Sequence, residues 1–257
     1  MTVTDFASTC PTGARTGDRH YSQDMGVWLR EDIWLSVGDE LRAYRHQGLS
    51  RLLTEDSVRF ATARALVRGG EDPGGLRVEW PHPALAGARI DLVAGGRPPA
   101  ALIEFKFPRE PNEQNAAWTM ALGEVLKDLY RLAAYPDVAD RLFVYVESTR
   151  LRTYMAGAAR RYGLDLDTDE VALHPADAAR LPTTAAKIIG ADLAAHHVIA
   201  RRIALVDIDP GLRLAVYLVD PLGAQPDPVA GGLVTDRALP EIRVPRHADP
   251  QPRTSTQ

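Results

Sequence analysis

The chain reads as an α+β domain, a sheet with helices packed on it, and three observations predict this. Apolar residues recur at helical spacing in several long stretches, short apolar runs bounded by Gly and Pro lie between them, and the central order is helix, three strands, helix, strand. With 257 residues, 45% hydrophobic and 25% charged, there is enough chain for one large domain with appendages.

Taken in order, residues 1–22 are rich in Ser, Thr and Gly without periodicity and read as a flexible N-terminus. A single domain is expected over 23–220, with its core in 51–147, and the Pro-rich stretch 221–257 reads as a flexible tail. Val27, Trp34, Val37, Leu41 and Tyr44 mark an amphipathic helix over 25–47. A second helix covers 54–68, with Thr54 as its N-cap and Gly69-Gly70 as its stop. Residues 76–80 form the first strand, ended by Pro81-His82-Pro83, where His82 reads as a turn residue. Residues 88–94 form the second strand and carry Asp91, and the turn 95–99 leads into the third strand, 101–107.

A polar loop over 108–115 precedes a long helix whose apolar stripe is Trp118, Leu122, Val125, Leu129 and Leu132. Lys127 projects from the opposite side of that helix. Asp128 and Arg131 lie toward a flank, where ion pairing at the surface with Glu124 and Lys127 is the expected use. Residues 141–147 are a buried strand, and 149–200 reads as mainly helical, interrupted at Pro182 with Thr183 or Thr184 as cap. Residues 201–208 and 212–219, joined by Asp209-Pro210-Gly211, read as a hairpin appended to the core.

Within this frame one residue stands out by type. The chain contains twenty-seven arginines and only three lysines, and one of these, Lys106, sits in the third strand. Lysine offers what guanidinium lacks, a compact point charge on a flexible stem with a shiftable pKa. Side chains alternate along a strand, so Ala101, Ile103, Phe105 and Phe107 share one face and Glu104 and Lys106 the other. A hairpin between the second and third strands brings Asp91 toward Glu104.

Asp91, then Glu104-x-Lys106 on the adjacent strand, after a helix bearing Glu55, resembles the PD-(D/E)XK nuclease superfamily over residues 54–147. The proline of that signature is replaced by Ile90. The resemblance implies a restriction-endonuclease-like core, a central mixed β-sheet flanked by helices, with the N-terminal helix and the C-terminal hairpin as additions. It also implies Glu55, Asp91, Glu104 and Lys106 as catalytic residues, Asp91 and Glu104 as ligands of Mg²⁺ or Mn²⁺, and hydrolysis of DNA in bacterial defence or DNA processing. The chemistry is coherent: two carboxylates hold a hard cation, a bound water attacks phosphorus, and Lys106 orients it and offsets developing charge.

Composition bounds the alternatives. A net charge of −4 and a pI near 6.0 do not describe a protein that coats nucleic acid nonspecifically. Phosphate contacts are expected instead from local cations, with Lys127, Arg131, Arg201 and Arg202 as candidates beside Arg150, Arg152, Arg160 and Arg161. One cysteine, Cys10, forms no intramolecular disulfide and suits a reducing cytoplasm. His196 and His197, adjacent on a helical stretch, point about a hundred degrees apart and are not joint zinc ligands. Two further readings stand beside the nuclease: a catalytically silent nuclease-like module that binds or regulates, and a structural subunit that pairs with itself or a partner protein through its first helix.

Overall fold

The computed structural model describes residues 26–108, 115–136, 139–162 and 166–223. The N-terminus 1–22 with Cys10, most of the loop 108–115 and nearly all of the tail 221–257 lie outside the described residues. Helix α1 (Glu31–His46) and helix α2 (Glu55–Arg68) come first. Three strands follow, β1 (Arg77–Pro81), β2 (Arg89–Ala94) and β3 (Ala101–Lys106), then helix α3 (Asn115–Ala133) and strand β4 (Asp140–Ser148). The remainder comprises α4 (Thr149–Tyr162), β5 (Glu170–Leu173), α5 (Pro175–Ala178), α6 (Thr183–Ile189), α7 (Ala191–Ala194), β6 (Val198–Asp209) and β7 (Leu212–Val219).

Among the described residues seven strands join one mixed sheet in the order β1-β2-β3-β4-β7-β6-β5. Among these strands the β3–β4 pair is parallel, as expected of a connection made by a full helix, α3, and the other described pairs are antiparallel. Alternation along the strands sorts two cores. Ala101, Ile103 and Phe105 of β3 pack under α1 and α2 with Trp34, Val37, Leu41, Val58, Ala61 and Leu66. Leu102 of the same strand faces the other way, toward Trp118, Leu122, Val125 and Leu129 of α3. At Gly123 of α3 an added Cβ would lie 2.9 Å from the Ala185 Cα of α6, so the two helices cross too closely for any side chain there.

Local signals account for the helix ends. Thr54 caps α2, its hydroxyl accepting from the Ser57 N–H while Ser57 Oγ accepts from the Thr54 N–H at 2.8 Å. Gly70, with φ 110°, follows the last turn of α2 in a conformation that favours glycine.

Two expectations are corrected and a third gains a strand. The hairpin of β6 and β7 is no appendage: β7 pairs with β4 from Leu142↔Leu218 to Ser148↔Leu212, so it builds the middle of the sheet. Its continuous apolar run is what a strand covered on both faces needs, and β7 is buried from Leu212 to Tyr217. The stretch 149–200 is mainly helical as expected, but it also holds β5, which pairs with β6 at the sheet edge, where Val171 and Leu173 are buried and the flanking Glu170 is exposed. Neither Thr183 nor Thr184 caps α6; Pro182 occupies the N-cap with no side-chain hydrogen bond, its fixed φ entering the helix directly.

Candidate active site

The site forms where β2 stops pairing regularly with β3. The ladder runs Ala94↔Ala101, Val93↔Leu102, Leu92↔Ile103 and then breaks. One residue on, Asp91 substitutes its side chain for a backbone carbonyl: Oδ2 accepts the Phe105 N–H at 2.8 Å. That bond holds the Asp91 carboxylate beside the strand segment between Glu104 and Lys106.

Strand alternation then turns Leu102, Glu104 and Lys106 to the α3 face of the sheet, as the sequence pattern predicts. Glu104 is entirely buried, with a side-chain exposure of 0%, and its two oxygens are taken by the fork of Arg131: Nε donates to Oε1 at 3.0 Å and Nη2 to Oε2. Arg131 lies one turn beyond Asp128 on α3, and its Nη2 is also 3.3 Å from Asp128 Oδ1. Asp128 Oδ2 in turn stands 2.9 Å from Lys106 Nζ. Lys106 Nζ is 3.8 Å from Glu55 Oε2, and that same oxygen accepts the Phe107 N–H at 3.4 Å. Arg59 on α2 lies between Glu79 at 3.2 Å and Asp91 at 3.7 Å.

The four positions picked out from sequence, Glu55, Asp91, Glu104 and Lys106, therefore converge. Asp128 and Arg131 are corrected: they are not surface partners of Glu124 and Lys127 but members of the cluster, Asp128 buried and Arg131 half-buried, pulled inward because α3 is the helix that covers β3. Their i,i+3 spacing next to a buried Leu129 was the signal available in the sequence. Arg131 is thereby spent on Glu104. Arg201 pairs with Glu170 and Asp220, and Arg202 with Asp169 and Asp167, in surface ion pairs at the sheet edge. Arg150 lies over the Trp118 ring, 5.6 Å from its centroid. Lys127 remains exposed, as expected.

His82 is more than a turn residue. It is buried, its Nδ1 accepts the Ala84 and Leu85 N–H groups at 3.2 and 3.1 Å, and so its Nε2 carries the hydrogen and donates to the Arg131 carbonyl at 3.0 Å. An orphan carbonyl in the last turn of α3 is satisfied by it, which fixes the turn that carries Arg131.

Four carboxylates share this small volume, and their protonation reflects it. Burial raises the Glu104 pKa well above the ordinary range, the Asp91 charge raises it further, and Arg131 opposes both. Burial also raises Glu55, against Lys106, with Asp91 adding to the rise. Asp128 is raised by burial against Lys106 and Arg131. For Lys106 burial works against the charge, but Asp128 and Glu55 outweigh it and its pKa is raised. The ammonium therefore stays protonated, and the depressed pKa that lysine can adopt is not used here.

A hard divalent cation is compatible with the donors present. Mg²⁺ usually takes one or two carboxylates and completes its shell with waters and phosphate oxygens, and Asp91 with Glu104 supply two such oxygen donors whose charges already act on one another. Among the described residues no group of three or more His, Cys, Asp or Glu side chains is arranged to hold a metal. The cation would have to share Glu104 with Arg131. Compared with protein-family models, with curated proteins and with solved structures, the chain matches none. No helix among the described residues is long and apolar enough to cross a membrane.

Proposed function

We propose that this protein is a metal-dependent phosphodiesterase acting on DNA, with a restriction-endonuclease-like core of the PD-(D/E)XK type. The observation that carries the reading is the hydrogen bond from the Phe105 N–H to Asp91 Oδ2 at 2.8 Å, which anchors one carboxylate between Glu104 and Lys106. A structural ion-pair network has no need of a further carboxylate pressed against a buried one; a site that must bind a cation does.

Asp91 and Glu104 would hold Mg²⁺ or Mn²⁺, which when bound lowers the pKa of a water and offsets charge on the phosphoryl oxygens. Lys106, held by Asp128 and kept protonated, acts as a fixed positive donor: it positions the attacking water and meets charge that develops at phosphorus. It does not abstract the proton. Glu55 is suited to that exchange, because it lies 3.8 Å from Lys106 Nζ and its pKa is raised toward the working range of a general base. Arg131 and His82 set the position of Glu104 and of the α3 turn that carries Asp128.

One observation favours a second reading, a silent module that binds without cutting: both Glu104 oxygens already accept from Arg131, and the side chain is wholly buried. Turnover of labelled DNA by the wild type and by Asp91→Ala, with Mg²⁺ and with Mn²⁺, separates the two. The nuclease reading expects cleavage that Asp91→Ala abolishes; DNA bound but uncut under both metals would establish the silent module.

A further inference from the structure

The cluster lies between two clefts. One, of about 1070 Å³, is lined by Arg45, Arg51, Glu55, Arg59, Phe107 and Ser148 among others. The other, of about 530 Å³, is lined by residues that include Glu79, Arg89, Asp91, Lys127 and Arg131. Glu55 and Arg59 face the first, Asp91 and Arg131 the second. The contacts Arg59–Asp91, Lys106–Glu55 and Lys106–Asp128 therefore form the divide between them.

The cations of these clefts differ in how far they are already committed. In the larger cleft Arg45 is paired with Asp209, and Arg59 with Asp56, Glu79 and Asp91. Arg51, in the short 3-10 turn Ser50–Leu52 between α1 and α2, is exposed and forms no ion pair among the described residues. In the smaller cleft Arg131 is held by Glu104 and Arg89 donates to the Glu79 carbonyl at 3.2 Å, while Lys127 on the outer face of α3 is exposed, with neither an ion pair nor a side-chain hydrogen bond among the described residues. Each side of the site thus carries a positive charge with no side-chain partner among the described residues, Arg51 on one and Lys127 on the other. A paired arginine must give up a carboxylate to take a phosphate; a free one only releases counterions, and that release favours binding.

We propose that a nucleic-acid strand runs through both clefts and over the divide, with Arg51 meeting a phosphate on one side of the site and Lys127 a phosphate on the other. The strand then passes through the site instead of ending in it, and internal bonds are the ones presented for cleavage. This rests on the phosphodiesterase reading for the chemistry at the divide, but not for the binding. It also accounts for an acidic protein that handles a polyanion: two placed charges serve where a basic surface is lacking.

The test is binding of the full chain to a fluorescent single-stranded DNA oligonucleotide, followed by anisotropy over a salt series without divalent metal. Arg51→Ala and Lys127→Ala should each weaken binding and lower the slope of log affinity against log salt by about 0.7, the single-strand value for one phosphate contact, and the double variant by twice that. Lys187→Ala, an exposed lysine that lines neither cleft, should leave the slope unchanged. Unchanged slopes in both single variants, or no binding by the wild type at low salt, overturn the proposal. Covalently closed circular single-stranded DNA is the second probe, in Mg²⁺: it should be cut, and degradation of linear strands with circles left intact overturns the through-running path. Slopes that fall as expected with no cleavage under either metal would keep the path and reject the phosphodiesterase, while cleavage with unchanged slopes would do the reverse.

Discussion

Two buried glutamates stand on the adjacent parallel strands β3 and β4, and each is gripped by an arginine, yet they differ in what surrounds them. Glu147 meets Arg213 directly across the β4–β7 ladder; Nε donates to Oε1 at 2.5 Å, and the same guanidinium reaches Asp167. That pair is fixed by strand register, and Arg202 shares Asp167 with it. Glu104 takes its arginine from a helix instead, and its neighbours include Asp91, whose nearest cation is Arg59 at 3.7 Å. Burial raises both glutamates, but only at Glu104 is a second buried-site carboxylate a leading cause. The lesson is that a buried ion pair marks nothing by itself; carboxylates crowded beyond their local cations do.

The sharpest way to break this contrast is to remove one carboxylate from each region. Asp91→Ala should cost at least about a hundredfold in DNA cleavage, the scale of a lost group in general acid–base or positioning roles. Its thermal midpoint in metal-free buffer should fall by less than that of Glu147→Ala, because the loss of the Phe105 N–H acceptor is offset by removal of a like charge beside Glu104. Glu147→Ala should do the opposite, lowering stability because the buried Arg213 keeps only Asp167 as a partner, while the rate per folded molecule holds. Urea unfolding and turnover on both variants decide it. A folding defect at Asp91 with none at Glu147 would invert the comparison.

Lys106→Arg comes next. Arginine keeps the charge and can still meet Asp128, but not with a compact ammonium, so activity should fall about a hundredfold while Mn²⁺ binding persists. Near-wild-type cleavage would remove Lys106 from the mechanism.

A smaller effect is expected at Arg131. Arg131→Met frees Glu104 and leaves it unpaired, so the metal-free midpoint should drop and Mn²⁺ should raise it by more than in the wild type, since a ligand that binds only the folded state stabilises it. An equal or smaller Mn²⁺ shift would show that Arg131 and the cation do not compete for Glu104.

The smallest is a pH effect at Glu55. Its pKa is raised from 4.5 on folding, so its contribution to stability is complete below that value and is lost as pH climbs through the folded pKa. Metal-free stability should therefore fall over the pH range just above 4.5, and Glu55→Gln should flatten that fall. A profile that Glu55→Gln leaves unchanged would place the strain on the other carboxylates.

What the sequence by itself determined is whatever depends on periodicity and local chemistry. The helix α2 with its Thr54 cap, the strands β1 to β4, the long helix α3 and the Asp209-Pro210-Gly211 turn are all legible, because caps, turns and alternation act over a few residues. So is the shared face of Glu104 and Lys106, which strand geometry dictates. Only the tertiary structure decided which partners those side chains meet. Asp128 and Arg131 look like surface charges on a helix until α3 is laid over β3, and β6 and β7 look like an appendage until β7 pairs with β4. Both outcomes turn on contacts between residues far apart in the chain, and whether a charge ends buried or solvated is settled by the element that covers it, which no local pattern encodes.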